Sequence, residues 1–219
     1  MIIRQLESAL SIHAFDVLKS GMVGSLDSAL VLAEKLQRNR LPYVFDPVLV
    51  CKGSGTMVDL SEFFKEKLIP LSTVITPNVE EAAVLIGADD ITTISEMIEA
   101  AQELHGLGAD TVVIKGGARL AGEEAVDVVY DGRQVITLSA PKVTDSLVNG
   151  AGCSFASSIA AGLALGNPVL TAIANAKQKV AHGIARSVDN NTGVRSLFHP
   201  ASRINPHPEV RITQSTRNS

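Results

Sequence analysis

Short β-rich runs alternate with longer helical stretches along this chain, and that alternation constrains the fold more than any other feature. The runs at 43–51, 73–76 and 111–115 carry Val, Ile, Tyr and Phe at the density of buried strands. Pro47 inside the first run ends its strand near Asp46. Residues 15–18 read as a further short strand leading into Gly21. Between these runs lie helical patterns at 2–12, from an N-cap at Ser25 to about Arg38, and at 61–68. Asn78 with Glu81, and Thr93 with Glu96 ahead of 94–107, have the spacing of capping boxes. Residues 125–130 and 134–138 flank Asp131-Gly132, a two-residue hairpin signal. An Ala- and Ser-rich helix at 154–165 and another at 168–187 follow. The pattern predicts an α/β fold: a parallel sheet with helices on both faces and one antiparallel hairpin. Ligands of such sheets bind beyond the carboxyl ends of the strands.

Composition narrows the function. With 219 residues, 46% of them hydrophobic, the chain can build a large core. One domain is expected over 1–199, with a weakly ordered polar tail over 200–219. A net charge of -4 argues against nucleic acid or an anionic membrane as partner. Eight aromatics, 6 Phe and 2 Tyr with no Trp, give little for stacking on bases. No apolar run reaches the ~20 residues that span a bilayer. Two distant cysteines, Cys51 and Cys153, suit a reduced, cytoplasmic protein.

Five places carry chemistry. The sharpest is Asn149-Gly150-Ala151-Gly152-Cys153, opening a small-residue helix. Two glycines allow a tight turn whose N–H groups converge, and the helix start adds partial positive charge. Such a cradle stabilises a phosphoryl group in transfer, although a glycine turn entering a helix reads the same locally. Neither a Walker-type G-x-x-x-x-G-K-[ST] nor a clean G-x-G-x-x-G occurs. Asp46 could hold Mg²⁺ at a strand end, or simply form an Asp-Pro turn. Asn78 and Glu81 form a cap and could also serve a metal and phosphates. Lys115 before Gly116-Gly117 suits a nucleotide phosphate, or is a solvated lysine before a turn. Cys51, beside Lys52, is either a reactive thiol or a buried strand-end residue. The five histidines show no metal-ligand spacing.

Six segments in order resemble the ribokinase-like superfamily of small-molecule kinases: 19–25 (KSGMVGS), 46–53 (DPVLVCKG), 76–81 (TPNVEE), 113–117 (VIKGG), 127–132 (DVVYDG) and 150–153 (GAGC). Within it they look like the hydroxymethylpyrimidine kinase and pyridoxal kinase branch, most like the dual-cysteine pyridoxal kinases. The resemblance implies a three-layer fold with a mostly parallel central sheet and a β-hairpin flap. It implies ATP- and Mg²⁺-dependent phosphorylation of the hydroxymethyl group of pyridoxal in vitamin B6 salvage, by a homodimer. The alternative substrate is hydroxymethylpyrimidine or its phosphate, in thiamine biosynthesis. A non-catalytic binding remnant is a third reading, and a sugar kinase is disfavoured by Cys153 in place of Asp.

By the same resemblance, Gly150, Ala151 and Gly152 form an anion hole with Cys153 as base. Cys51 adds to the pyridoxal aldehyde as a hemithioacetal. Asn78, Lys115, Gly116, Gly117, Ala118, Arg119 and Lys177 serve ATP. Gly21, Met22, Asp127 and Gly152 meet the substrate, and Asp46 and Glu81 serve Mg²⁺. Three departures stand out. The family has an additional N-terminal segment that nothing here matches, so the chain is expected to be truncated. Residues 146–149 read SLVN where relatives commonly have Asn-Thr-His, and the stretch from Cys51 to Asn78 is slightly shorter.

Overall fold

The computed structural model describes residues 2–49, 60–191, 193–204 and 209–216. Helix α1 (Ile2–Ile12) leads into strand β1 (Leu18–Ser20), two to three residues later than the sequence places it. Helix α2 (Leu26–Asn39) starts at the expected cap, where the Ser25 side chain accepts from the Ser28 N–H. Strand β2 (Tyr43–Phe45) stops before Asp46-Pro47. Helix α3 (Ser61–Phe63) continues through a π-helical turn, Phe64–Leu68. Strand β3 (Val74–Ile75), helices α4 (Val79–Ile86) and α5 (Ile94–Gly106) and strand β4 (Val112–Lys115) follow. Both α4 and α5 begin with complete capping boxes.

Strands β5 (Glu124–Tyr130) and β6 (Gln134–Pro141) form the hairpin. Its connection is longer than the two-residue turn expected from Asp131-Gly132, because Tyr130 pairs with Val135. Asp131 explains the difference: its Oδ1 accepts from the N–H groups of Arg133 and Gln134, drawing both into the turn. Helices α6 (Ala151–Ala164) and α7 (Val169–Ala185) come next, then a two-stranded ribbon of β7 (Val188–Asp189) and β8 (Arg195–Ser196).

The main sheet runs β1-β2-β3-β4-β5-β6, with a seventh strand, β9 (Arg211–Thr216), beside β6. The tail segment expected to be weakly ordered thus supplies a strand at 211–216. The β6 edge offers unpaired N–H and C=O groups, and a β-branched run with Ile212 and Thr213 satisfies them. The first four strands are parallel, whereas β4-β5, β5-β6 and β6-β9 pair antiparallel. The sheet is therefore mixed: parallel strands make one side, and the hairpin continues it antiparallel on the other.

Burial on both faces makes three layers. Tyr43, Phe45, Ile75, Val112 and Ile114 point to the core under α2, α4 and α5. Their alternates Val44, Val74 and Val113 point to the second core, with Phe155, Ile159, Ile173 and Ala176 of α6 and α7. Helices α6 and α7 approach closely at Gly162, where a Cβ would lie 2.8 Å from the Ala172 Cβ. The Ala- and Ser-rich composition of α6 permits this approach.

Candidate active site

The carboxyl ends of β2, β3 and β4 lie side by side and deliver Asp46, Asn78 and Lys115 to one edge of the sheet. Register makes the alignment: Phe45 pairs with Ile75, and Asn78 bridges to Lys115 just beyond the strands. Asp46 is buried, and its Oδ1 accepts from the Lys115 Nζ at 2.9 Å and the Thr76 hydroxyl at 3.2 Å. Thr76, itself buried, went unassigned as a site residue, although it opens the TPN run.

Glu81 faces the same cluster. Its Oε2 accepts from the Asn78 N–H at 2.8 Å, while the Asn78 Oδ1 accepts from the Glu81 N–H at 2.9 Å. The capping reading and the cleft reading therefore hold together. Burial pushes the Glu81 carboxyl above its ordinary value; Lys115, the Asn78 bond and Arg119 pull it back, and Asp46 adds to the rise.

Helix α6 points its start at this cluster. Gly150 is its N-cap, at φ 86, a conformation glycine adopts without strain. No side chain caps the helix. The first-turn N–H groups of Gly152 and Cys153 thus have no intrahelical acceptor and aim outward with the dipole. A Cβ on Gly152 would lie 3.3 Å from the Lys115 Nζ, so the ammonium sits directly beside these donors. Cys153 is an exposed free thiol in the same turn. Gly116 is also required: its N–H donates to the Val126 carbonyl, and a Cβ would come within 2.4 Å of that oxygen.

These groups line a cleft of about 300 Å³. Asp46, Asn78, Glu81 and Lys115 form one wall, and Gly116, Gly117, Ala118 and Arg119 another. Gly150, Ala151, Gly152 and Cys153 form a third. Phe155, Val180 and Ile184 add an apolar end that the sequence reading did not single out. Arg119 pairs with Glu80 at 3.0 Å at the rim.

Lys177, Asp127, Gly21 and Met22 take the following places. Lys177 lines the cleft, but its ammonium lies 2.9 Å from the Asp127 carboxylate and 2.8 Å from the Ala125 carbonyl. Asp127, expected at the substrate, also lines the cleft from its buried position in β5, where register sets it opposite Lys115. A buried carboxylate needs a counter-charge, and α7 supplies it. Gly21 and Met22 follow β1 at the same sheet edge, where the Asp46 N–H reaches the Ser20 carbonyl, but neither lines the cleft. Strand β1 ends the sheet, one strand further out than Asp46. Cys51 lies outside the described residues.

The donor set suits magnesium. Two carboxylates, Asp46 and Glu81, share the wall, and among the described residues no group of three or more His, Cys, Asp or Glu could cage a metal. Mg²⁺ commonly takes one or two carboxylates and completes its shell with water and substrate phosphates. An anion cradle beside two carboxylates provides for that arrangement.

Comparison with known proteins agrees with this geometry. The family model for phosphomethylpyrimidine kinase matches residues 1–197. Pyridoxine kinase of Bacillus subtilis is 40% identical over 193 residues, covering 87% of this chain and 71% of that protein. The pyridoxal kinase of Staphylococcus aureus in complex with AMP-PCP and pyridoxal superposes with a TM-score of 0.89 at 33% identity, covering 97% of this chain and 77% of that one. A phosphomethylpyrimidine kinase of Clostridium difficile gives 0.66 at 31% identity, covering 80% and 71%. The chain belongs to the phosphomethylpyrimidine kinase family and has its ribokinase-like fold.

Proposed function

We propose that this member of the phosphomethylpyrimidine kinase family is a pyridoxal kinase, transferring the γ-phosphoryl group of ATP to the hydroxymethyl oxygen of pyridoxal to give pyridoxal 5'-phosphate. The observation that carries the reading is the meeting of the α6 N-terminus with Lys115, whose Nζ lies 3.3 Å from the Cβ position of Gly152. Donors and a cation held that close suit the equatorial oxygens of a phosphoryl group in flight.

In the reaction, the alcohol oxygen forms a bond to the γ-phosphorus as the bond to the β-phosphate bridging oxygen breaks, and ADP leaves. Cys153 takes the alcohol proton. The N–H groups of Gly152 and Cys153 bind the transferring oxygens. Lys115 neutralises developing charge on the phosphates. Asp46 and Glu81 hold Mg²⁺, which when bound draws charge from the phosphate oxygens. Asn78, Gly116, Gly117, Ala118 and Arg119 border the nucleotide, and Phe155, Val180 and Ile184 give its base an apolar seat. Lys177 serves the phosphates from its pairing with Asp127. Gly21, Met22 and Asp127 serve the pyridine ring side. Cys51 adds its sulfur to the aldehyde carbon, and its proton goes to the carbonyl oxygen.

In this reading the catalytic unit is 1–199, working in the cytoplasm as a homodimer. No helix among the described residues is long and apolar enough to cross a membrane. The likeness to a phosphomethylpyrimidine kinase supports a second substrate class, hydroxymethylpyrimidine and its phosphate. ADP release with ATP–Mg²⁺ tests the reading, offering pyridoxal, pyridoxine, hydroxymethylpyrimidine and its monophosphate side by side. Preference for pyridoxal, weakened in Cys51→Ala, is expected. Preference for the pyrimidines assigns the second class, and turnover of none overturns both.

A further inference from the structure

Asn149, the residue before the anion-hole glycine, is held at both of its backbone polar groups by a strand far along the chain. Its N–H donates to the Arg195 carbonyl at 2.9 Å, and its own carbonyl accepts from the Leu197 N–H at 3.0 Å. The two form a parallel bridge centred on Ser196. A ribbon of two short strands is marginal by itself, so something must hold β7 and β8 in place. Arg195 supplies the hold. Its Nε and Nη2 meet the two carboxylate oxygens of Asp189 at 2.9 and 3.1 Å, a planar fork. Its Nη1 reaches across to the Thr144 hydroxyl at 3.4 Å. Leu197 closes the contact from below: a Cβ on Gly183 would lie 2.6 Å from the Leu197 Cδ1, and one on Gly150 would lie 3.9 Å from its Cβ.

The loop 144–150 is therefore tied at both ends to one ribbon, by side chain at Thr144 and by backbone at Asn149. Gly150 follows directly in its left-handed conformation and starts α6. We propose that Arg195 is a positioning residue for the anion hole: bridging Asp189 and Thr144, it clamps the β7–β8 ribbon to this loop and aims the Gly152 and Cys153 N–H groups. It touches no reacting group. The inference rests on the anion-hole reading above.

The test separates the two. Affinities for AMP-PCP, which has a γ-phosphate, and for ADP are measured with Mg²⁺ for the wild type, Arg195→Ala, Arg195→Lys and Asp189→Ala. Misaimed donors should lower AMP-PCP affinity and kcat about tenfold in both alanine variants. ADP affinity should stay at the wild-type value. Lys keeps the charge without the fork, so Arg195→Lys should recover only part of the loss. The fork is exposed, so melting should shift by no more than about 2 °C. A purely structural ribbon would weaken both nucleotides together or lower only the melting temperature, and either result overturns the proposal. So does an unchanged AMP-PCP to ADP ratio. A wild type that binds AMP-PCP over ADP but phosphorylates no pyridoxal overturns the substrate reading and leaves the clamp to be judged by the ratio.

Discussion

Lys115 ends β4 and Asp46 follows β2, with β3 between them, yet the Lys115 Nζ rests 2.9 Å from the Asp46 Oδ1. The pair is asymmetric: the Asp46 side chain is 2% exposed and that of Lys115 15%. Asp46 thus depends on a cation that can still reach into the cleft.

Lys115→Met strands a buried carboxylate. Stability should fall by about 2 kcal/mol, below the full cost of breaking a deeply buried pair because Lys115 is partly solvated. kcat/KM should fall about 10²-fold. Adding Asp46→Asn should restore much of the stability and none of the activity, read by urea titration and ADP release. A single variant as stable as the wild type would show that the pair is not coupled.

Glu81→Gln isolates a pH effect. The Glu81 carboxyl titrates above its ordinary 4.5, chiefly because it is buried. Below 4.5 it is protonated in both folded and unfolded chains and costs nothing. As pH rises through the raised value, the unfolded chain holds fewer protons than the folded one, so the stability contribution is lost. Gln also completes a capping box. The variant should therefore gain stability relative to wild type between pH 5 and pH 8, as urea midpoints at the two pH values will show. A gap independent of pH would refute this assignment.

Gly152→Ala places a methyl 3.3 Å from the Lys115 Nζ, in front of the first-turn donors. Activity should drop about 10²-fold. The helix should not suffer, since Ala is a better helix former than Gly by about 1 kcal/mol. Loss of turnover with an unchanged or raised melting temperature is the expected signature; retained turnover would remove Gly152 from the phosphate path.

The two capping boxes form a matched pair. Asn78→Ala and Thr93→Ala each remove a side chain that accepts a helix N3 N–H and should each cost about 1 kcal/mol. Only Asn78 lines the cleft. Asn78→Ala should also raise KM for ATP, whereas Thr93→Ala should leave kinetics at the wild-type value. Equal kinetic effects would assign Asn78 to folding alone.

Much of the site was legible in the chain because its parts are local. The caps at Ser25, Asn78 and Thr93 need only a side-chain acceptor within three residues. The turn at Gly150 is announced by two glycines before a small-residue helix, and the short β-rich runs mark the parallel strands. The pairing of Lys177 with Asp127 was not legible: 50 residues separate them, and each alone reads as a group facing a ligand. Nor was β9, whose polar and β-branched residues become a strand only beside the open edge of β6. Arg195 was invisible as well, since nothing near it in sequence mentions Asn149.

Sequence alone determined the alternation of elements, their caps and the residue types gathered at strand ends. Burial period and capping act over a few residues and need no knowledge of the partner. Tertiary structure decided which charges meet. Lys115 reaches Asp46 across 69 residues only because three parallel strands in register end together. The antiparallel register of β4 with β5 sets Asp127 opposite Lys115, and the placement of α7 brings Lys177 to it. Such pairings depend on strand order and helix placement, which a one-dimensional pattern does not contain.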